Sequence, residues 1–237
     1  MKIGKKLIIM IIAVALSGIG ALSTTILTGS QRQISLLINN ELRNLAYNEA
    51  GKLSLRLESY FSIARSLANS MQGYEQIEPE RRRFFYNILL KQLAEANPEA
   101  VAIWTCWEPN ALDGLDAQYA NTRGTDNTGR FIPSWSWTAE GVRLDSVANY
   151  GAGGAGDFYR IPMRTGKETI VEPRFQIIDG VNTLITSLCV PIKKNGQCIG
   201  VAGVDIALSG IQADIKRINP YKGSIAMVFS NGGLVTG

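Results

Sequence analysis

Between Leu7 and Gly29 the chain reads LIIMIIAVALSGIGALSTTILTG, about 23 residues without a charge. At about 1.5 Å per residue, a helix of that length reaches about 34 Å, enough to cross a hydrocarbon core about 30 Å thick. Lys2, Lys5 and Lys6 precede the run, and a positive flank marks the cytoplasmic end of a span. The rival reading is a cleaved signal peptide, with GIGALS as its cleavage region. Signal peptides carry a shorter apolar core, about 7–15 residues. The run is therefore read as an uncleaved transmembrane helix, residues 7–29, in the inner (cytoplasmic) membrane. Residues 1–6 form a cytoplasmic tip, and the rest of the chain is extracytoplasmic.

That topology also accounts for the charge. The net charge is +4, and removing the three flanking lysines leaves 21 basic against 20 acidic residues. The excess is a membrane signal and gives no reason to expect nucleic acid. The chain has no histidine, which removes histidine bases, Ser–His and Cys–His catalysis and the commonest metal ligand. GAGGAG at Gly151–Gly156 superficially resembles a phosphate loop. It follows no expected strand, and DFYRIP after it is not expected to open a helix. Asp113, Asp116 and Asp126 share one loop, but their spacing matches no calcium loop. No catalysis, cofactor or metal is expected. The three cysteines read as small buried residues. A two-residue turn at Asn195–Gly196 would pair Lys193 with Cys198 and Cys189 with Ala202. The two sulfurs then share a face, too far apart for a disulfide.

From Ser30 to Met71 apolar residues recur every three or four positions, with one gap at Glu49: Ile34, Ile38, Leu42, Leu45, then Leu53 through Met71. This predicts an amphipathic stalk helix, residues 30–72, able to pack on a domain or on a second copy. A second helix begins at Pro79 and stops at Asn97–Pro98. Phe85, Ile88, Leu89 and Leu93 mark its buried face, and Arg81–Arg83 read as solvated. The period then changes to two. Ala100–Trp107 reads as a buried strand, followed by a long polar loop. Glu168–Ile178, Val181–Lys193 and Gln197–Leu208 read as three antiparallel strands, joined by tight turns at Asp179–Gly180 and Asn195–Gly196. A short helix spans Ser209–Ile218. Residues 220–237 supply a strand, a turn and part of another strand, too little for a core. They read as the start of a second, membrane-proximal module of a longer protein.

This order of elements, with the phrases AIWTCWEPNALDGLDAQY, TGRFIPSW, GDFYRIP, VEPRF, IIDG and TSLCVPIKKNGQCIGVAGVDIAL, resembles the double Cache sensor domain of bacterial methyl-accepting chemotaxis proteins. The phrases cover about Glu95 to Leu208. The resemblance implies an α+β, PAS-like antiparallel sheet over residues 73–219, the membrane-distal module, with a pocket for a small molecule. Relatives that sense amino acids carry Arg-x-Trp-Tyr, Tyr-x-Asp and Gly-x-Asp-Ile. Here Phe158 and Tyr159 stand at the Trp-Tyr positions and Gly156 stands at the Arg. Arg174 and Gln176 stand at the Tyr and Asp, and Asp205 matches the last Asp. Ser134 stands where relatives have Tyr before the Trp.

The expected ligand-binding residues are therefore Trp135, Trp137, Asp157, Phe158, Tyr159, Arg174, Gln176, Asp205 and Arg130. Trp104 and Trp107 are assigned to the core. An amine needs a carboxylate and aromatic faces; an organic acid needs a guanidinium; a purine needs stacking surfaces and an amide. Amine, amino-acid-like, organic-acid and purine ligands all stay open. So does delivery by a periplasmic binding protein. The expected partners are the ligand, a second copy through the stalk helix and lipid around the anchor. The expected function is a chemoreceptor's extracytoplasmic sensor. The alternatives are the same sensor on a histidine kinase or cyclic-dinucleotide enzyme, or a non-catalytic stalked surface protein.

Overall fold

The computed structural model describes residues 2–235. Met1, Thr236 and Gly237, the outermost residues of the expected cytoplasmic tip and second module, lie outside the described residues, as do the side chains of residues 2–9. The first helix, α1, spans Lys2–Gln72. Two compact units divide within it, one ending at Lys52 and the other beginning at Leu53.

In the first unit the apolar run is helical, and from Met10 on it is exposed; Met10, Val14, Leu16, Ile19, Leu22 and Ile26 touch no core. The hydroxyls of Ser17, Thr24, Thr25 and Thr28 bond within the helix. Ser17 bonds the carbonyl of Val14, Thr25 that of Ala21 and Thr28 that of Thr24, at 2.8–2.9 Å. A span in lipid needs this, because no water is there to satisfy polar groups. The segment is long and apolar enough to cross a membrane.

The second unit is an antiparallel sheet with helices on both faces. Residues 53–72 of α1 bury Tyr60, Ala64, Leu67, Ala68 and Met71. Helix α2 (Pro79–Ala96) starts with proline in its first turn, where the missing N–H costs nothing. Its buried face is Arg83, Tyr86, Leu90 and Ala94. This corrects the expected face, since Phe85 and Ile88 are 49% and 42% exposed. Arg81 is exposed as expected, but Arg82 and Arg83 differ from expectation. Arg83 is buried, and Arg82 donates to the Ile77 and Leu112 carbonyls at 2.8 Å.

The strands follow as β1 (Ala100–Trp107), β2 (Pro133–Thr138), β3 (Gly141–Ser146), β4 (Thr169–Ile170), β5 (Arg174–Ile178), β6 (Val181–Lys194) and β7 (Gln197–Ala207). Helix α3 (Asp157–Thr165) lies between β3 and β4, and α4 (Ser209–Lys216) follows β7. The sheet order is β3-β2-β1-β7-β6-β4, with β5 also on β6. Both expected tight turns form, with left-handed backbone at Asp179, Gly180, Asn195 and Gly196, the geometry that matches strand twist.

Four details depart from the sequence reading. The polar stretch around Trp135 is not loop: it forms the β2–β3 hairpin. The strand expected from Glu168 breaks into β4 and β5 around Pro173, which has no N–H for the ladder. A bulge between Ile192 and Lys193 places Cys189 opposite Gly203 instead of Ala202, while Lys193 does pair with Cys198. DFYRIP does form a helix, α3, although Pro162 lies inside it. Burial of Phe158, Tyr159 and Pro162 outweighs the lost hydrogen bond, because packing contributes more to a short helix than propensity does.

All three cysteines are free thiols; Cys106 and Cys189 are buried and Cys198 only partly so. Burial pushes the Cys106 and Cys189 thiols well up, so neither is a ready nucleophile. Beyond Pro220 the described residues hold an isolated bridge, Phe229 to Val235, in place of the expected strand.

Candidate ligand-binding site

Alternation along the strands sorts the side chains onto two faces. The face toward α1 and α2 carries Ile103, Trp107, Leu188, Val190, Val204 and Ile206. The opposite face carries Ala102, Trp104, Cys106, Cys189 and Val201, covered in part by Phe158 and Tyr159 of α3. Where α3 stops covering this second face, a cavity of about 450 Å³ opens. That is a size suited to a small organic molecule.

A buried carboxylate lines the cavity. Asp205 on β7 is 4% exposed. Its Oδ1 accepts from Trp104 Nε1 at 2.9 Å and from the Ser187 hydroxyl. Ser187 lies directly opposite on β6. Oδ2 has no hydrogen-bond partner among the described residues, yet it is not a fully enclosed orphan, and Asp205 lines the cavity. Burial raises its pKa, against the charge of Arg174 and the bonds from Ser187 and Trp104. The site thus holds a carboxyl group whose ionised form is only partly compensated, and a ligand cation would add to that compensation.

Aromatic walls flank the carboxylate. The Trp104 indole lies over Gly203, where a Cβ would sit 2.1 Å from Cζ2. Only glycine leaves room for the ring. Phe158 packs edge-on against Trp104, with centroids 5.1 Å apart. The Arg174 guanidinium stands 4.9 Å from the Phe158 centroid, and its Nη1 donates to Ser187 Oγ at 2.9 Å. Ser134, Ser136 and Gln176 line the same cavity. At the rim, Asp179 in the β5–β6 turn accepts from the Ala139 N–H in the β2–β3 turn at 3.1 Å, and Arg143 approaches it at 3.7 Å.

Of the nine expected residues, the structure brings Phe158, Arg174, Gln176 and Asp205 together in this cavity. Trp135 and Trp137 share a face, but it is the other one. Trp135 pairs with Ile103, and its Nε1 reaches Asn87 Oδ1 on α2 at 3.4 Å. Trp137 Nε1 donates to the Ala94 carbonyl at 2.9 Å. The pairing turns their neighbours Ser134 and Ser136 into the cavity, so the tryptophans pack toward α2 and do not line it. Arg130 is also structural. It lies between the rings of Tyr150 and Tyr159, 4.7 and 4.9 Å from their centroids. It donates to the Trp107 carbonyl, the Tyr159 hydroxyl and Glu108. Tyr159 is thereby turned away from the cavity. Asp157 occupies the first turn of α3, where a carboxylate suits the helix dipole, and does not line the cavity.

Trp104, assigned to the core on sequence, is the aromatic cavity residue missing from the expected set, and Ser134 and Ser136 line the cavity with it. The signal was its spacing from the glycine-rich strand of Asp205, which becomes readable only once β1 pairs with β7. Gly156, where an arginine stands in amino-acid receptors, is fixed by close packing. A Cβ there would meet the carbonyl oxygens of Tyr150, Ala152 and Asn149 at 2.5–2.6 Å. Asp113 and Asp116 bind Arg83, and Asp126 accepts from Thr128 and Tyr150. Among the described residues no cluster has the make-up of a metal site.

Comparison with known proteins agrees with this architecture. Residues 86–213 match the family described as methyl-accepting chemotaxis protein-like, first PDC sensor domain. The methyl-accepting chemotaxis protein TlpQ of Pseudomonas aeruginosa is 30% identical over 198 residues, covering 73% of this chain and 28% of that protein. The extracellular domain of mmHK1S-Z2, described as a histidine kinase, is 31% identical with a TM-score of 0.70, over 79% of this chain and 67% of that one. Methyl-accepting chemotaxis protein X is 27% identical with a TM-score of 0.57, over 78% and 69% of the two chains. The chain thus spans little more than a quarter of TlpQ and about two thirds of the solved sensor domains.

Proposed function

This chain belongs to the methyl-accepting chemotaxis protein-like family, through its first PDC sensor domain, and we propose that it senses a small extracytoplasmic solute in the cavity above Asp205. The observation that carries the reading is the buried carboxylate, with one oxygen unpartnered among the described residues, in a cavity that Trp104 and Phe158 also line. Of the open ligand classes, it favours an organic amine. The ammonium meets Asp205, and its carbon frame lies against the two rings. Gln176 and the two serines provide for further polar groups on the solute.

The reading assigns residues 7–29 to the inner membrane, 30–72 to the stalk, 73–219 to the membrane-distal sensor and 220–237 to the start of a second module. Binding favours a closed arrangement of the β2–β3 and β5–β6 turns that already touch at Asp179. The sheet reports to α1 through Arg65, which grips Glu168 with two bonds of 2.7 Å just before β4, and through Arg56 on Asp214 at 3.2 Å. A helix shift of about 1–2 Å is the usual scale of such a signal. Its destination is a cytoplasmic signalling domain; the likeness to mmHK1S-Z2 keeps a kinase output as the second reading. The exposed stripe of Ile34, Leu37 and Leu42 offers the surface for a stalk homodimer.

The test is a thermal-shift screen of the full chain in detergent with primary amines, amino acids, organic acids and purines. Primary amines are expected to raise the melting temperature most. No shift with any class would contradict the proposal.

A further inference from the structure

Resting on the reading that Asp205 anchors a small cation, we propose that Arg174 is a built-in competitor for that site, and that a cationic solute binds by expelling it. The guanidinium already holds two of the features a ligand cation would use. It stands 4.9 Å from the centroid of the Phe158 ring. It also donates to Ser187 Oγ at 2.9 Å, and the same hydroxyl donates to Asp205. Arg174 is thus one hydroxyl away from the carboxylate. A second cation brought to Asp205 would meet a like charge at short range on the low-dielectric side of the sheet.

The strand that carries Arg174 is suited to release it. Among the described residues β5 pairs only with β6. Pro173 precedes it, and the sheet breaks there between β4 and β5. Phe175 and Ile177, its intervening residues, are 68% and 74% exposed, so little packing holds the strand in place. Four residues separate Arg174 from Thr169 on β4, and Glu168, the partner of Arg65 on α1, is next to it. Expelling the guanidinium therefore moves the segment that is tied to the stalk, so that binding and reporting are one displacement. The same competition sets selectivity, because a neutral or anionic solute gains nothing by displacing Arg174.

The test uses the full chain in detergent, titrated calorimetrically with methylguanidine, n-butylamine and butyrate. Arg174→Ala removes the competitor. Arg174→Met keeps an apolar stem against Phe158 should the alanine variant fold poorly, and circular dichroism checks both. Freed of a cation–π contact and a hydrogen bond, the variants are expected to bind both cations at least about tenfold more tightly than the parent. Butyrate should show no such gain. Cation affinity equal to or weaker than the parent's in both variants would overturn the proposal, the weaker case making Arg174 a direct ligand contact. Asp205→Asn separates the two readings. If it lowers n-butylamine binding while the Arg174 variants show no gain, the sensor reading stands and only the competitor falls.

Discussion

Replacing Arg83 with methionine is expected to destabilise the sensor unit by about 3–5 kcal/mol, the usual cost of breaking a buried ion pair from one side. The guanidinium donates to Asp113 at 2.6 and 3.0 Å, to Asp116 at 2.5 Å and to the Gly129 carbonyl at 2.7 Å. Tyr119 and Phe131 flank it, with centroids 4.3 and 5.5 Å away. The side chains of Asp113 and Asp116 are 0% and 7% exposed, so neither can turn to water when the cation goes. One arginine on α2 therefore holds both ends of the long segment between β1 and β2. Urea unfolding of the full chain, followed by tryptophan fluorescence, measures the loss. A change below about 1 kcal/mol would be that of a surface pair and would contradict this role.

Gly203→Ala is expected to damage fold and site together. The added carbon would meet three atoms of the Trp104 indole at 2.1–2.6 Å. The ring is 2% exposed and has Phe158 against it, so it can yield only by leaving its place beside Asp205. Overpacking of this kind costs about 1–3 kcal/mol. Displacement of the indole also breaks its bond to Asp205 and removes a cavity wall. The variant should melt lower than the parent and lose amine binding even where it stays folded. Unchanged binding at an unchanged melting temperature would show that Trp104 does not organise the site.

The parts of the fold that were legible in the sequence are those written in local chemistry. Asp179–Gly180 and Asn195–Gly196 require left-handed backbone and take it. Pro79 opens α2, and the uncharged run forms a helix with no core to bury it. The β2–β3 hairpin was hidden because serine, threonine and glycine dilute its alternation. The parity of Trp135 and Trp137 was not local information at all. Their spacing put them on one face, but the face was chosen by the pairing of Trp135 with Ile103. For the same reason Phe85 and Ile88 looked like the core of α2, while Tyr86 and Leu90 are. Arg83 looked solvated because its partners, Asp113 and Asp116, lie about thirty residues away in sequence. In the site, family likeness led to Phe158, Arg174, Gln176 and Asp205. Trp104 came into view only with the β1–β7 register.

The central claim is that the ligand meets the Asp205 face of the sheet and not the Trp135 face. The direct measurement is calorimetric titration of n-butylamine into the full-length parent, Asp205→Asn and Trp135→Ala chains, each checked for folding. The account predicts that Asp205→Asn removes binding while folded Trp135→Ala retains it. Binding that survives in Asp205→Asn and disappears in folded Trp135→Ala would contradict it.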